Sequence, residues 1–231
     1  MTAEQAAAPA HPALRVLLVD DHTIVREGIR QVLNTQPGQW TIFEAESAAQ
    51  AVDVLRQQEV DVVVLDITLP GMSGLDLISR IRRDHPRCAV LVLSMHSEDQ
   101  YAVRALQAGA NGYLTKNTAG AELLKAIMLI TQGGVYLTPH LAERVVSQML
   151  GHRSGNLLDT LSNRELDIFQ RVVSGQRLTD IADALHLSIK TVSTHKKRIQ
   201  DKLQVDSTAA LIRYGLERGT TGSGNTDASG D

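Results

Sequence analysis

The chain has 231 residues, of which 43% are hydrophobic, 21% charged and 3% aromatic, and its net charge is −3. This is the composition of a soluble globular protein, and the length favours two domains of unequal size. No apolar run reaches membrane-spanning length, and the single cysteine, Cys88, excludes an internal disulfide. We therefore expect a cytoplasmic protein without membrane contact.

Two tails and the cysteine lie outside the patterned parts of the chain. Residues 1–14 are rich in alanine but lack the positive start and leucine-rich core of a signal peptide, and residues 219–231 are polar and rich in glycine. Both are expected to be disordered. Cys88 is interpreted as a small apolar residue before a strand rather than as a nucleophile.

From residue 15 to 132, short β-branched runs alternate with segments whose apolar residues recur at helical spacing. Strict alternation of strand and helix predicts an α/β fold with a parallel sheet and helices on both faces. Five such units match the flavodoxin-like strand order 2-1-3-4-5, in which ligands bind between strands 1 and 3. Strands are predicted at 15–19, 41–45, 61–65, 89–93 and 111–114, and helices at 22–34, 47–58, 74–84, 98–108 and 119–132.

Acidic residues stand at the carboxyl ends of two of these strands. Asp20 and Asp21 follow the first strand, and Asp66 ends the third. The predicted topology brings the three carboxylates to one edge of the sheet, where they repel each other unless a cation or protons intervene. Mg²⁺ prefers oxygen ligands and one or two carboxylates. The sequence therefore predicts a magnesium site.

Ser94 ends the fourth strand and Lys116 follows the fifth, so a hydroxyl and an ammonium reach the same edge. An acid cluster with these two groups suits phosphoryl transfer to a carboxylate, with Asp66 as the nucleophile. Each residue has a simpler interpretation: the acidic pair can cap a helix, Ser94 can open a turn, and Lys116 can be a surface residue. Their joint placement favours the chemical site.

Residues 15–132 resemble a response-regulator receiver domain, with the phosphoacceptor motif LDITLPGMSG, the motif LVLS at the fourth strand and GYLTK at the fifth. The resemblance implies that Asp66 accepts a phosphoryl group from a sensor histidine kinase. It also implies that Mg²⁺ is held by Asp21, Asp66 and the backbone carbonyl of Thr68, while Asp20 assists.

The same resemblance implies a conformational switch. Ser94 would turn toward the phosphoryl group, Tyr113 would move inward behind it, and Thr68 and His96 would tune the lifetime of the phosphorylated state. The chain departs from many receivers in having Asn117 after the lysine, where proline is common. It also carries a second aromatic residue on the fourth helix, Tyr101, which could share the switching role.

Residues 133–159 are interpreted as a linker. Gly133 and Gly134 stop the fifth helix, Pro139 opens a helix over 139–150, and the segment GHRSGN is rich in residues that break helices. The sequence therefore predicts two domains joined by a short flexible tether.

Residues 160–218 form a small all-α domain. Ser162 and Glu165 have the spacing of a capping box, and Thr179 and Ser188 are expected to cap the next two helices. A turn at His186 between those helices makes a helix-turn-helix. A last helix over 207–216 carries an apolar face for the core or for a dimer contact.

The third helix of this domain has an apolar face and a basic face. Val192, Ile199 and Leu203 recur at core spacing, and five basic residues occur between 190 and 202 against one acid, Asp201. Short hydroxyl side chains and lysines on an exposed helix suit the major groove of DNA. The candidate contact residues are Lys190, Ser193, Thr194, His195, Lys196, Lys197 and Arg198.

The motif LSNRELDIFQRVVSGQ with IADALHLSIKTVSTHKKRIQDKL is similar to the LuxR-type helix-turn-helix, so the whole chain resembles a NarL/FixJ-family response regulator. The resemblance implies base-edge contacts from Ser193, Thr194 and Lys197, with the other candidates contacting the DNA backbone. For His195, packing within the helical domain is an equal alternative. The resemblance to the family also implies a homodimer on paired half-sites when Asp66 is phosphorylated.

The resulting hypothesis is a transcription regulator that is switched by phosphorylation and that dephosphorylates itself slowly. It is not expected to be a metabolic enzyme. In the unphosphorylated protein the receiver would pack against the DNA-binding domain and limit access to the recognition helix or the dimer face. Two alternatives stay open. A phosphatase with an aspartyl nucleophile would use the same pocket, but it usually needs an acid at position 68, where this chain has threonine. A constitutive DNA-binding protein would use the receiver only for dimerisation.

Overall fold

The structure is a computed structural model, and it describes residues 13–36, 40–94, 99–149 and 157–219. The expectations for most of the two tails, for the breaker-rich segment 150–156 and for His96 lie outside these ranges.

The first part of the chain is a five-stranded parallel sheet in the order β2-β1-β3-β4-β5, as predicted. Its central strands are buried along their whole length, which agrees with their apolar runs without alternation. The predicted bounds are off by no more than one residue at either end. The strands are β1 (Leu14–Val19), β2 (Trp40–Ala45), β3 (Val62–Asp66), β4 (Ala89–Ser94) and β5 (Gly112–Thr115).

Five helices cover the two faces of the sheet: α1 (Thr23–Asn34), α2 (Ala48–Gln57), α3 (Gly74–Asp84), α4 (Asp99–Gln107) and α5 (Ala119–Thr131). Successive side chains of a strand point to opposite faces, so the apolar strands feed two cores. Val64 packs with residues of α1 and α5, whereas Val63 packs with residues of α2, α3 and α4. Cys88 is buried before β4, as the sequence predicted.

The second part of the chain is helical. Its elements are α6 (Pro139–Met149), a 3₁₀ helix (Leu157–Thr160), α7 (Asn163–Val173), α8 (Leu178–Ala184), α9 (Ile189–Leu203) and α10 (Thr208–Gly219). Helix α6 follows α5 and packs against α4. None of the helices in the described ranges is long and apolar enough to cross a membrane.

The helix-turn-helix is formed by α8 and α9. The capping box of Ser162 and Glu165 is present, and Ser188 accepts a hydrogen bond from the Thr191 N–H at 3.0 Å at the start of α9. His186 between the helices has a φ of 52°, which makes the turn tight. The prediction for Thr179 was wrong: α8 begins at Leu178, and the Thr179 hydroxyl donates to Asp180 instead of capping the helix.

Candidate functional site

The carboxyl ends of four adjacent strands carry the polar side chains that the sequence singled out. Asp20 follows β1, Asp66 is the last residue of β3, Ser94 is the last residue of β4, and Lys116 follows β5. Because the strands are parallel, these positions share one edge of the sheet. The structure therefore gathers at one place four residues that are widely separated in the sequence.

Lys116 lies between two carboxylates. Its Nζ is 2.6 Å from Asp20 Oδ2 and 2.7 Å from Asp66 Oδ2, and all three side chains are nearly inaccessible to solvent. Burial lowers the pKa of Lys116, but the charges and hydrogen bonds of the two acids outweigh burial, and the net shift is upward. The ammonium is therefore held in its charged form beside Asp66.

Asp66 is a buried acid whose carboxylate is bonded on both oxygens. Burial raises its pKa, Lys116 lowers it, and the neighbouring Asp20 raises it again, so that the net shift is upward. The Thr68 N–H donates to Asp66 Oδ1 at 2.9 Å, which fixes the direction of the carboxylate. The loop after β3 therefore holds the Asp66 carboxylate in one orientation.

The loop after Asp66 is closed by backbone contacts. Gly71 has a φ of +77°, and the Gly74 N–H donates to the Ile67 carbonyl at 3.3 Å. A Cβ at Gly74 would lie 2.6 Å from that carbonyl oxygen, so glycine is required for the close approach. The motif PGMSG thus returns the chain to the end of β3.

His22 is a residue of the site that the sequence reasoning missed. Its Nδ1 is 2.9 Å from Asp21 Oδ1 and 3.2 Å from Asp20 Oδ1. The side chains of Asp20, Asp21, His22 and Asp66 each offer one ligand atom, and these atoms lie within 4.8 Å of one another. The sequence feature that could have indicated this role is the position of His22 directly after Asp20 and Asp21.

The pocket fits a hard divalent cation. Three carboxylates face one ammonium, which leaves two formal negative charges to be neutralised. Carboxylate oxygens are the ligands that Mg²⁺ prefers. Asp21, with about a third of its side chain exposed, opens the cluster to solvent, where a hydrated ion can enter.

The residues expected to switch are buried in the receiver domain. Ser94 is fully buried, and its backbone carbonyl accepts a hydrogen bond from the Lys116 N–H at 2.8 Å. Tyr113 is buried on β5, in register with Val92 of β4, and Tyr101 is buried on α4. All three side chains therefore belong to the packed interior of the receiver domain.

The predicted recognition helix is α9. Its apolar side chains, Val192, Ile199 and Leu203, are buried, whereas the residues of its basic face are partly or fully exposed. The most exposed of the candidate DNA contacts are Lys190, Thr194, Lys197 and Arg198. A basic helix with these side chains free toward solvent suits docking in a groove of DNA.

His195 lies differently from its neighbours on α9. Its ring is partly buried against α7, and burial lowers its pKa, with Arg198 and Arg164 acting in the same direction and Glu165 opposing them. A neutral, packed imidazole is a weaker partner for phosphate than an exposed cation. The structure thus favours the packing alternative for this residue.

The last helix, α10, packs on the same core. Leu211 is fully buried, and the Tyr214 ring lies 6.5 Å from the Phe169 ring in an edge-on arrangement. These residues of α10 therefore belong to the core of the helical domain, which was one of the two roles expected for them.

The two halves of the chain touch along α4 and α7. The Tyr101 hydroxyl donates to Asp167 Oδ1 at 3.3 Å, and the Arg104 guanidinium donates to the Leu158 carbonyl at 2.9 Å and to Asn163 Oδ1 at 3.4 Å. We call this set of bonds the interdomain contact. Sequence patterns gave no signal for it, because each bond joins residues more than 50 positions apart.

A second set of bonds links the helical domain to the segment after Asp66. The Arg164 guanidinium donates to the Gly71 carbonyl, and the Asn163 amide donates to Asp76 Oδ1 at 3.0 Å. His186 of the helix-turn-helix also lies beside Gly71. The segment that follows Asp66 is therefore in direct contact with the helical domain.

Comparison with known proteins matches both halves. Residues 16–128 match the response regulator receiver domain, and residues 159–215 match the bacterial regulatory proteins of the luxR family. The chain is 36% identical to the response regulator GacA of Pseudomonas viridiflava over 208 residues, which cover 88% of this chain and 97% of GacA. It is also 36% identical to the response regulator UvrY of Escherichia coli K12 over 208 residues, 88% of this chain and 95% of UvrY.

Among solved structures, the RcsB response regulator of Salmonella typhimurium resembles the chain with a TM-score of 0.67 and 28% identity, over 90% of this chain and 98% of RcsB. RcsB bound to the promoter rprA in the presence of the phosphomimetic BeF₃⁻ resembles it with a TM-score of 0.62 and 27% identity, over 87% of this chain and 98% of that one. With a receiver domain, a LuxR-type helix-turn-helix and full-length relatives of this kind, the chain belongs to the NarL/FixJ family of two-component response regulators.

Proposed function

We propose that phosphorylation of Asp66 by a sensor histidine kinase controls dimerisation and sequence-specific DNA binding by this chain. The observation that carries the proposal is the position of Lys116, whose ammonium bridges Asp20 and the buried Asp66 at the edge of the sheet. The match to the receiver domain supports the phosphorylation step, and the exposed basic face of α9 supports DNA binding.

In the proposed reaction, an Asp66 oxygen attacks the phosphorus of a phosphohistidine or a small phosphodonor, and the bond to the donor breaks. Lys116 is placed to pair with the phosphoryl oxygens, and Ser94 supplies a hydroxyl at the same edge. In the unmodified protein Lys116 neutralises the Asp66 carboxylate. After transfer, Lys116 would instead neutralise the phosphoryl group on Asp66.

We further propose that Asp21, Asp66 and the Thr68 backbone carbonyl hold Mg²⁺, while Asp20 assists. When bound, this ion would neutralise phosphoryl charge during transfer. Thr68 and His96 would tune the lifetime of the phosphorylated state, and slow self-dephosphorylation would return Asp66 to its free form.

The interdomain contact gives the switch a route to the helical domain. Asp66 modification would repack Ser94, Tyr113 and the neighbouring Tyr101, whose hydroxyl bonds to Asp167. Loss of that bond, and of the bonds around Gly71, would shift the population toward separated domains.

The exposed basic face of α9 indicates how the interdomain contact would inhibit DNA binding by the unphosphorylated protein. Lys190, Thr194 and Lys197 remain exposed while the domains touch, so the receiver does not cover the recognition helix. We infer that the contact instead fixes the orientation of the DNA-binding domain and prevents two copies from matching the spacing of paired half-sites. Release would permit a homodimer on DNA.

On DNA, Ser193, Thr194 and Lys197 are proposed to contact base edges in the major groove, and Lys190, Lys196 and Arg198 to contact phosphates. His195 would support the helix from its packed position.

The experiment is labelling with acetyl phosphate and Mg²⁺, with the modified residue identified by mass spectrometry. The proposal expects one phosphoryl group on Asp66 and none on an Asp66→Asn variant. Modification of another residue in the wild-type protein, or rapid turnover of a generic phosphate ester as a phosphatase would give, contradicts it.

A further inference from the structure

Arg26 lies behind the acidic pocket, near the start of α1, and only 4% of the residue is exposed. Its Nη1 donates to the Asp20 backbone carbonyl at 2.7 Å. Its Nε donates to Glu44 at 2.9 Å, and its Nη2 donates to Glu46 at 2.7 Å. A buried guanidinium is costly unless its donors are paired, and here the partners are Glu44 of β2, Glu46 directly after β2, and the loop that carries Asp20.

The bond from Arg26 completes the fixation of Asp20. The Asp20 N–H donates to the Ala45 carbonyl at 3.2 Å, its Oδ1 accepts from the His22 N–H at 2.8 Å, and its Oδ2 accepts from Lys116 at 2.6 Å. Every backbone and side-chain polar group of Asp20 therefore has a partner.

The orientation of the Asp20 carbonyl matters for the next residue. The peptide between Asp20 and Asp21 is planar, so the direction of the carbonyl determines the direction in which the chain enters Asp21. The bond from Arg26 therefore acts on the backbone that leads into Asp21, although Arg26 offers no ligand itself.

We propose that Arg26 is a positioning residue for the divalent-cation site, acting through the Asp20 carbonyl on Asp21. This inference rests on the proposed function. Its competitor is a purely structural role, in which Arg26 only ties α1 to β2 through the two glutamates.

Arg30 offers a matched control. It lies one turn later on α1 and pairs with the same Glu44, and among the described residues it makes no bond to Asp20. A variant at Arg30 therefore disturbs the tie between helix and strand without touching the pocket loop.

The test is Mn²⁺ binding to the full, unphosphorylated chain, measured from the free-ion signal in electron paramagnetic resonance. Groups that hold metal ligands in place typically contribute 10–100-fold to metal affinity, so Arg26→Gln is expected to weaken Mn²⁺ binding about tenfold. Arg30→Gln should bind Mn²⁺ as the wild-type protein does. Arg26→Lys can bond to one acceptor but lacks the several N–H donors of the guanidinium. Its Mn²⁺ affinity should therefore lie between the affinities of Arg26→Gln and Arg30→Gln.

A second measurement separates positioning from general damage. With Arg26→Gln, acetyl-phosphate labelling should need more Mg²⁺ to reach half its maximal rate, while the rate at saturating Mg²⁺ stays near that of the wild-type protein. If Arg26→Gln does not fold, Arg26→Lys decides, and wild-type Mn²⁺ affinity in that variant would overturn the inference. A wild-type protein that binds no Mn²⁺ would instead contradict the proposed function itself.

Discussion

The Tyr101 hydroxyl on α4 donates a hydrogen bond to the Asp167 carboxylate on α7, at 3.3 Å, and so joins the receiver to the DNA-binding domain. Tyr101 is buried, and Asp167 is partly buried. A buried aromatic side chain of the receiver is thereby bonded directly to the first α-helix of the LuxR-type domain.

Replacing Tyr101 by phenylalanine should loosen the interdomain contact while keeping the ring. A hydrogen bond of this kind contributes about 1 kcal/mol, or about fivefold in the equilibrium between touching and separated domains. The unphosphorylated variant should therefore bind paired half-sites up to about fivefold more tightly than the wild-type protein. Fluorescence anisotropy with a selected DNA fragment measures this.

A single half-site is the matched control for this variant. The basic face of α9 is already exposed, so the affinity for one half-site should not change. Equal gains on single and paired sites would show that the contact covers the recognition helix, contrary to the proposal. Asp167→Ala removes the acceptor of the same hydrogen bond, so adding it to Tyr101→Phe should change the affinity little further.

The interdomain contact should also depend on pH. Burial raises the pKa of Asp167 to about 6, against the opposing effects of Arg164, Arg171 and the Tyr101 hydrogen bond, and Asp76 adds to the increase. A carboxyl whose pKa is raised in the closed arrangement takes up a proton there more readily, so closure is favoured at low pH. Its contribution is lost as the pH rises through about 6.

Small-angle X-ray scattering of the unphosphorylated protein measures the closed fraction. The radius of gyration should increase between pH 5 and pH 7, and Asp167→Asn should remove most of that increase. A wild-type protein that expands as the pH falls over the same range would contradict the assignment of Asp167.

Lys116→Met should remove the cation that neutralises Asp66. Because both bonded acids are buried, loss of the ammonium should raise the pKa of Asp66 further and leave the arriving phosphoryl charge without its partner. Loss of one such group typically costs about 100-fold in rate. The rate of acetyl-phosphate labelling checks this, with the exposed Lys125→Met as the control that should label normally.

Two lysines of α9 should have different effects on DNA binding. Lys197 is exposed and pairs with Asp201 at 3.0 Å, and Lys196 donates to Thr208 at 3.1 Å. Lys197→Ala should relax base preference, with a loss of about 1–3 kcal/mol on the preferred site. Lys196→Ala should weaken all sequences alike and reduce the salt slope by about 1. Equal losses on every sequence for both variants would show that the face is assigned wrongly.

The receiver fold could be predicted because its signals are local. The apolar runs of β3 and β4 mark buried strands, and strict alternation with helices predicts parallel strands. The strand order came from the match of five such units to the flavodoxin-like fold. The meeting of Asp20, Asp66 and Lys116 then required only the rule that parallel strands end at one edge. Ser162 and Ser188 were found as helix caps for the same reason, since a cap acts within three residues.

The remaining features depend on contacts between distant residues. The bonds of Tyr101 to Asp167 and of Arg26 to Glu44 join side chains whose positions are set by tertiary packing, and no spacing in the sequence reports them. For Thr179, in contrast, a local signal gave a wrong prediction. A suitable capping residue was present, but the helix began one residue earlier.

The central claim is that the state of Asp66 controls binding to paired half-sites. The most direct measurement is a DNA titration of the same preparation before and after acetyl-phosphate treatment with Mg²⁺, with the occupancy of Asp66 determined by mass spectrometry. Coupling between sites is typically 5–150-fold, so the proposal predicts a gain of about tenfold or more in the wild-type protein and none in Asp66→Asn. Unchanged affinity with Asp66 fully phosphorylated would contradict it.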